Sequence, residues 1–284
     1  MTVFARDTTL EALGDGRYRV EINRNWWVAV GPNGGLVAAI LLRACETEIA
    51  RPGRLARTLT VHYLSPPREG DAEVEVTVER DGRGVTFCTA RLRQGDRLEA
   101  LAVAAFSDER PAMVDFDHLR MPDVPPPDAC GQLVSDEQGP AIRHRWDSRW
   151  VYGPTEATGT DEAVVGGWIR LSEPEQPDAA VMAAMADAWV PPIFCLPEPP
   201  PTTVPTLELT VHFRDHEKLA AMAPDEWCLT VFRSETAREG FIDESGAIWT
   251  ADGHLLAQAR QLAVLVPLPA EVGERPRIRF EQPS

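Results

Sequence analysis

Asp187 is the only charge between Ala179 and Val190, in a stretch that reads AAVMAAMADAWV. At helical spacing it shares a face with Ala180, Ala183 and Ala184, while Val181, Met185 and Trp189 mark a bulkier neighbouring face. A carboxylate among small alanines can approach a partner strand closely, and partial burial raises its pKa toward a value useful to a general base. The competing reading is a solvent-facing Asp near a helix end, terminated by Pro191-Pro192. Gln261 lies on a strand face otherwise made of Leu255, Ala257, Ala259 and Ala263, with Gln258 and Arg260 opposite. An amide there needs a partner, because leaving it unpaired costs roughly 1–3 kcal/mol. A bound water or a neighbouring loop would serve equally. Thr206 begins a strand in which Leu207, Leu209, Val211 and Phe213 point one way and Thr206, Glu208, Thr210 and His212 the other. Its hydroxyl can hold a water or a carbonyl; threonine is also an ordinary strand residue.

These side chains need elements to hold them, and the chain is long enough for two sets. Its 284 residues are 44% hydrophobic and 25% charged, with a mean hydropathy of −0.22, the profile of a soluble globular protein with a proper core. At roughly 100–200 residues per domain, two domains fit comfortably. The net charge of −16 is uneven: residues 1–120 hold 16 basic and 18 acidic side chains, residues 121–284 hold 12 and 26. Nucleic acid is a poor partner for such a surface. An anionic substrate needs a local arginine cluster. The five cysteines, Cys45, Cys88, Cys130, Cys195 and Cys228, show no paired or metal-finger spacing and read as free thiols in a reducing compartment. Arg6, Asp7 and Glu11 stand where a secretory signal needs an apolar stretch, and the clean apolar run Leu36 to Leu42 is far too short to cross a membrane. The expectation is a cytoplasmic protein with no membrane span.

Prolines punctuate the chain at Pro122 and Pro125 to Pro127, and again from Pro191 to Pro205. The first group falls where two equal domains would meet. Across it the sequence repeats: LTVHYL at 59–64 returns as LTVHFR at 209–214, an offset of 150. An apolar helical stretch precedes each copy, Leu36 to Cys45 and Ala179 to Val190. Strand-like segments follow each: Glu73 to Val78, Val85 to Arg93 and Leu98 to Phe106, then Cys228 to Arg233, Gly240 to Thr250 and His254 to Val266. Gly95-Asp96 and Asp252-Gly253 mark hairpin turns before the final strand of each half. A tandem duplication is expected, each half an α+β unit with one helix covered by a curved antiparallel sheet. A chance repeat within one larger domain is the alternative.

With this organisation, the chain resembles the double-hotdog acyl-CoA thioesterases of the thioesterase II type over nearly its whole length, apart from the middle linker and the last residues. The resemblance is carried by Trp26, the Pro32-Asn33-Gly34-Gly35-Leu36 turn, Arg57 to Pro66 (RTLTVHYLSP) and Asp81-Gly82-Arg83 in the first half. In the second half it is carried by Ala179 to Ile193, Thr206 to Arg214 (TLELTVHFR) and Leu255 to Gln261 (LLAQARQ). It implies a tandem hotdog: an N-terminal hotdog over 1–115, a proline-containing linker over 116–145, a C-terminal hotdog over 146–270 and a tail over 271–284. It also implies hydrolysis of acyl-CoA thioesters to acid and CoA, with no metal or other cofactor. Members use an Asp on the second-half helix, a Ser or Thr on the next strand and a Gln on the last strand to hold and activate a water. Matched motif to motif, these are Asp187, Thr206 and Gln261. Substrate contacts are expected from the Asn33-Gly34-Gly35 turn, whose backbone N–H groups can bind the thioester oxygen, and from Trp26, with Trp27, as a wall of the acyl channel; a simple tight turn and tryptophans that are plain core anchors are the competing readings.

The duplication provides an internal comparison. Ala56 stands opposite Thr206, Leu42 opposite Asp187, and the apolar stretch Leu101 to Ala105 opposite Gln261. One site per chain is therefore expected. Serine-hydrolase and nucleotide-binding signatures are missing from the sequence: no GxSxG, no GxxxxGK[ST], no GxGxxG after a strand. His212 and His216 leave a strand and make a poor metal pair. Arg54, Arg57, Arg68 and Arg83 are candidates to meet CoA phosphates. A homodimer is expected, since hotdog sheets pair across interfaces. The alternatives are an inactive acyl-CoA-binding hotdog and an enoyl-CoA hydratase or dehydratase on the same fold; the latter needs an Asp/His pair that the chain does not offer.

Overall fold

The computed structural model describes residues 1–28, 30–133, 139–154, 161–268 and 280–281. The first half runs α1 (Val3–Asp7), β1 (Glu11–Gly14), β2 (Arg17–Ile22), α2 (Gly34–Ile49), β3 (Leu55–Tyr63), β4 (Gly70–Asp81), β5 (Thr86–Gln94) and β6 (Arg97–Ser107). Next come β7 (Gly131–Leu133), β8 (Trp146–Tyr152), β9 (Val164–Leu171), α3 (Ala179–Met185), β10 (Thr202–Thr203) and β11 (Thr206–Phe213). The chain continues through α4 (His216–Ala221), β12 (Cys228–Arg233), β13 (Ala237–Arg238), β14 (Phe241–Thr250), β15 (Leu255–Val264), β16 (Val266–Pro267) and β17 (Phe280–Glu281).

One long antiparallel sheet holds nearly all the strands, in the order β1-β2-β4-β5-β6-β3-β11-β15-β14-β12-β9-β8-β7-β17; β13 pairs with β14 off this path, and β10 with β16 forms a separate ribbon. Its two central blocks, β2-β4-β5-β6-β3 and β11-β15-β14-β12-β9, are the same motif read outward from the middle. The repeated hexapeptides form the seam. Thr60 of β3 lies directly opposite Thr210 of β11, with Val61 facing Leu209 and Leu59 facing Val211. The two threonine hydroxyls are 2.9 Å apart in a hydrogen bond. The sequence offset of 150 thus becomes a local two-fold relation between the halves, and the expected α+β double hotdog is the architecture. The expected hairpins at Gly95-Asp96 and Asp252-Gly253 join β5 to β6 and β14 to β15.

The first half of helix α2 is apolar all round and correspondingly enclosed: every residue from Leu36 to Leu42 is at most 1% exposed. The Asn33 side chain caps it by accepting from Leu36 N–H at 3.2 Å, and it ends at Ala50 in the left-handed region. Helix α3 is capped likewise by Asp178, which accepts from Val181 N–H at 2.9 Å. Matching caps align Asn33 with Asp178 and hence Leu42 with Asp187. The helices of both halves and the inner faces of both sheets share one hydrophobic cluster, so neither half has a separate core.

Two expectations need correction. The second helix does not run to Val190: α3 stops at Met185, with Ala186 as its cap, so Asp187 stands in the turn beyond the helix rather than on an alanine face. Pro191 and Pro192 are not the cause, being several residues downstream. Instead Ala186 N–H still bonds Met182 O, and Asp187 N–H then closes a tighter turn onto Ala184 O at 3.3 Å. The middle segment expected as a linker over 116–145 is not a free connection where it is described. Pro125 O accepts from the Trp168 indole at 2.8 Å, Leu119 O accepts from that of Trp249 at 3.4 Å, and β7 joins the sheet beside β8. Outward-facing tryptophans on the second half of the sheet need a cover with acceptors, and this segment supplies it. The expected tail over 271–284 lies outside the described residues except for Phe280 and Glu281, which pair with Leu133 and Gln132.

The enclosed helix gives a direct expectation. Ile40→Ala removes a fully buried side chain from α2 and should lower unfolding free energy by about 2–5 kcal/mol, read by urea denaturation. A loss below roughly 1 kcal/mol would contradict this packing.

Candidate active site

The turn after α3 brings Asp187 against the start of α2. Asp187 Oδ2 accepts from the Gly35 backbone N–H at 3.0 Å and from Asn33 Nδ2 at 2.9 Å, and Asn33 Nδ2 also donates to the Asp187 main-chain oxygen at 2.7 Å. One asparagine therefore both caps α2 and anchors the turn that carries the carboxylate. The approach is possible because the start of α2 has no side chains. A Cβ on Gly35 would lie 2.5 Å from Ala184 O, and one on Gly34 would lie 2.9 Å from Asp187 Oδ2. The positive end of the 16-residue helix faces the carboxylate.

On the opposite side, Asp187 Oδ1 accepts from Gln261 Nε2 at 3.3 Å. That nitrogen also lies 3.3 Å from Ala186 O and 3.0 Å from Glu244 Oε1, while Gln261 Oε1 accepts from the Thr206 hydroxyl at 3.0 Å. Thr206 reaches this face through a bulge. The plain alternation of β11 puts it with Glu208, Thr210 and His212, away from the core. The register slips between Thr206 and Glu208, so Thr206 pairs with Ala263 and turns inward beside Gln261. The first half carries the same slip between Ala56 and Thr58, so the bulge was duplicated with the strand and only the residue it aims was changed.

Asp187, Thr206, Glu244 and Gln261 line a narrow cleft with Trp189 and Pro192. Burial pushes the Asp187 carboxyl up to about 6, against the lowering effect of the hydrogen bonds from Gly35, Gln261, Gly34 and Asn33. Burial and then the Asp187 charge hold the Tyr63 phenol well above its ordinary value; it stays protonated and donates to Gly34 O at 2.8 Å. The cluster can hold a water between an acid of suitable basicity and an amide–hydroxyl pair.

The three residues matched by resemblance thus meet in one place. The others fare differently. Asn33 and Gly35 belong to the site, but as ligands of Asp187: the Gly35 N–H expected to meet a thioester oxygen is engaged by the carboxylate. Trp26 is a correction. It is fully enclosed, donating its indole N–H to Asp7 Oδ2 at 3.0 Å and packing edge-on against Phe4 and Trp146, so that its polar edge is satisfied inside the core. Trp189 lines the cleft instead, its indole donating to Thr230 Oγ1 at 2.6 Å. Arg54 and Arg57 are tied to the first half's own loops, through Gly82 O at 2.6 Å and Ser107 Oγ at 2.7 Å. His216 faces Ala56 O, and no metal-binding group of residues occurs among the described residues. Glu244 escaped the reading of the sequence. Its signal was a carboxylate at an inward position of the Ile242, Gly246, Ile248 alternation, directly across from Gln261.

A helix wrapped by each half of a continuous antiparallel sheet, with one polar cluster where the two helices meet, defines the double-hotdog class. The chain belongs to the acyl-CoA thioesterase family: the model of the family's N-terminal domain matches residues 23–107, and that of its C-terminal domain residues 121–265. Among solved structures, a conserved hot dog protein of unknown function from Alicyclobacillus acidocaldarius is 26% identical with a TM-score of 0.85, covering 95% of this chain and 100% of that one. A thioesterase II candidate from Thermobifida fusca is 25% identical with a TM-score of 0.81, covering 93% of this chain and 98% of that one. The thioesterase-like protein TwmA of Talaromyces wortmannii is 31% identical over 98 residues, 34% of this chain; the match spans only 28% of that curated relative.

The raised carboxyl has a stability consequence. Its folded pKa of about 6 lies above its ordinary 3.8, so its contribution to stability is fully present below the ordinary value and is lost as pH rises through the folded one. Asp187→Asn should therefore gain up to about 3 kcal/mol over the parent near pH 8 and lose that advantage below about pH 4, read by thermal melts across pH. A pH-independent difference would show that the carboxylate is not desolvated.

Proposed function

We propose that the chain hydrolyses acyl-CoA thioesters by general-base attack of water. The observation that carries this is Asp187, a carboxylate raised to about 6 and held between the start of α2 and the Gln261–Thr206 pair, in a family of acyl-CoA thioesterases.

In this reading a water lies against Asp187 with Gln261 and Thr206 fixing its orientation. Asp187 takes one proton as the water oxygen attacks the thioester carbonyl carbon. The tetrahedral adduct collapses with cleavage of the C–S bond, and the departing CoA sulfur receives the proton from Asp187. Acid and CoA result, and the carboxylate is restored. The Asn33 and Gly35 donors stabilise the ionised form of the base and keep it from becoming a weaker, permanently protonated acid. The site draws on both copies, the turn at Asn33 from the part read as 1–115 and the acid, hydroxyl and amide from 146–270.

CoA release from acyl-CoAs of graded chain length, followed with a thiol reagent, tests the reading. Activity should rise with pH through an inflection near 6, because only ionised Asp187 accepts a proton. Asp187→Ala should lower kcat by about 10²–10⁴-fold. Absence of CoA release at every chain length, or full activity in Asp187→Ala, would overturn it. Tight acyl-CoA binding without release would mark a binding protein, and hydration of an enoyl-CoA without free thiol would mark a hydratase.

A further inference from the structure

Gln261 Nε2 carries two hydrogens and faces three acceptors: Asp187 Oδ1 at 3.3 Å, Ala186 O at 3.3 Å and Glu244 Oε1 at 3.0 Å. The shortest of the three contacts goes to the carboxylate that the hydrolytic scheme leaves without a role. Glu244 sits directly opposite Gln261 in the β14–β15 ladder and lines the same cleft as Asp187 and Thr206. A carboxyl group placed by a strand against an amide on the next strand is held by main-chain register, which makes it a firm reference point for that amide.

We propose that Glu244 is a positioning residue of this site: by taking one Nε2 hydrogen of Gln261 it fixes the amide plane, so that the other hydrogen is directed to Asp187 and the amide oxygen to Thr206. This rests on the hydrolase reading above. The alternative orientation, with the amide turned over, would set Gln261 Oε1 against two carboxylates and leave Thr206 facing an N–H. Glu244 excludes it, provided its own acceptor oxygen stays in place.

The protonation state of Glu244 then matters. The groups that face it are Asp187 from the turn after α3, Gln261 of β15, Thr206 of β11, the Cys195 thiol from the turn after Pro192, and Asp243 beside it, which pairs with Arg260 of β15 at 3.8 Å. Burial, then the Asp187 charge, pushes the Glu244 carboxyl well up, with the Gln261 amide opposing and Asp243 adding. A neutral Glu244 still offers its carbonyl oxygen to Gln261 and leaves the negative charge on Asp187. Once Glu244 ionises, two carboxylates compete for the same amide and the alignment on Asp187 weakens. The working range therefore lies between ionisation of Asp187 and ionisation of Glu244.

The test compares wild type, Glu244→Ala and Glu244→Gln by kcat and KM as a function of pH, with thermal melts to establish folding. Glu244→Ala should lower kcat by about tenfold with KM little changed, and Glu244→Gln, which keeps an acceptor oxygen, should restore most of that loss. Wild type should show a falling limb on the alkaline side that Glu244→Gln lacks. Equal kcat in all three, or the same alkaline limb in Glu244→Gln, overturns the proposal; if Glu244→Ala does not fold, the Glu244→Gln pH profile decides alone. The 15N signal of the Gln261 side-chain amide separates this outcome from failure of the hydrolase reading, since it needs no turnover. Two inflections with pH in wild type and one in Glu244→Gln support the assignment even in a protein that releases no CoA, and one unchanged inflection in both overturns it.

Discussion

The two halves are joined by a strand pairing with its own twin. β3 and β11 carry closely similar hexapeptides, run antiparallel, and meet with Thr60 opposite Thr210, so that Leu59 faces Val211 and Val61 faces Leu209 about this central pair. In an antiparallel ladder a shift of one residue would turn every inward side chain outward. Leu59, Val61, Leu209 and Val211, all fully enclosed, fix the register against that shift. The seam makes one sheet of two, and through it the two central helices become neighbours in a shared core. The site follows from that contact, because the end of α3 meets the start of α2 only when the copies are joined in this register.

The contact between the helices carries an electrostatic cost. Lifting a carboxyl from 3.8 to about 6 corresponds to about 3 kcal/mol spread over the protein's stability at neutral pH. Glu244 adds a second buried acid whose ionised form the same amide would have to accommodate. Donors from three places limit the penalty for Asp187: the end of a helix, an N-cap side chain and a strand amide. Each is held by a structure that exists for another reason. Asn33 caps α2, Gly35 allows α2 to touch Ala184, and Gln261 is fixed by the ladder of β15. The arrangement is rigid because no member is free to relax without disturbing a cap, a close packing contact or a sheet.

Much of this was legible in the residues. The repeated hexapeptide located the seam, the apolar runs located the helices, and the hairpin glycines located the turns, because these are local or strictly periodic signals. Gln261 betrayed itself as an amide on an alanine face. Thr206 could be read as a site residue only by resemblance: simple alternation places it on the outer face, and the bulge that turns it inward leaves no clear mark in residue type. Asp187 was found but mislocated, since nothing in AAVMAAMADAWV signals that the helix tightens at Ala186. The surroundings of Trp26 and the role of Glu244 are not legible for the same reason, that a side chain's partner comes from a distant segment or strand. The indole answers to Asp7, and the carboxyl to an amide on the adjacent strand.

The comparison of the copies explains why there is one cluster and not two. The ladders align Gln261 with Ala104 and Glu244 with Cys88, since Leu59 faces Ala104 as Leu209 faces Gln261, and Cys88 faces Ala104 as Glu244 faces Gln261. With Leu42 for Asp187 and Ala56 for Thr206, all four polar members are replaced together by apolar or weakly polar groups. A partial replacement would be costlier than either extreme, because each remaining buried polar atom would lose its partner at roughly 1–3 kcal/mol. The bulge is retained at Ala56, where it aims only a methyl group. Backbone geometry inherited by duplication is thus kept in both halves, while the network it positions is present whole in one and absent whole in the other, as expected for side chains that are stable only as a set.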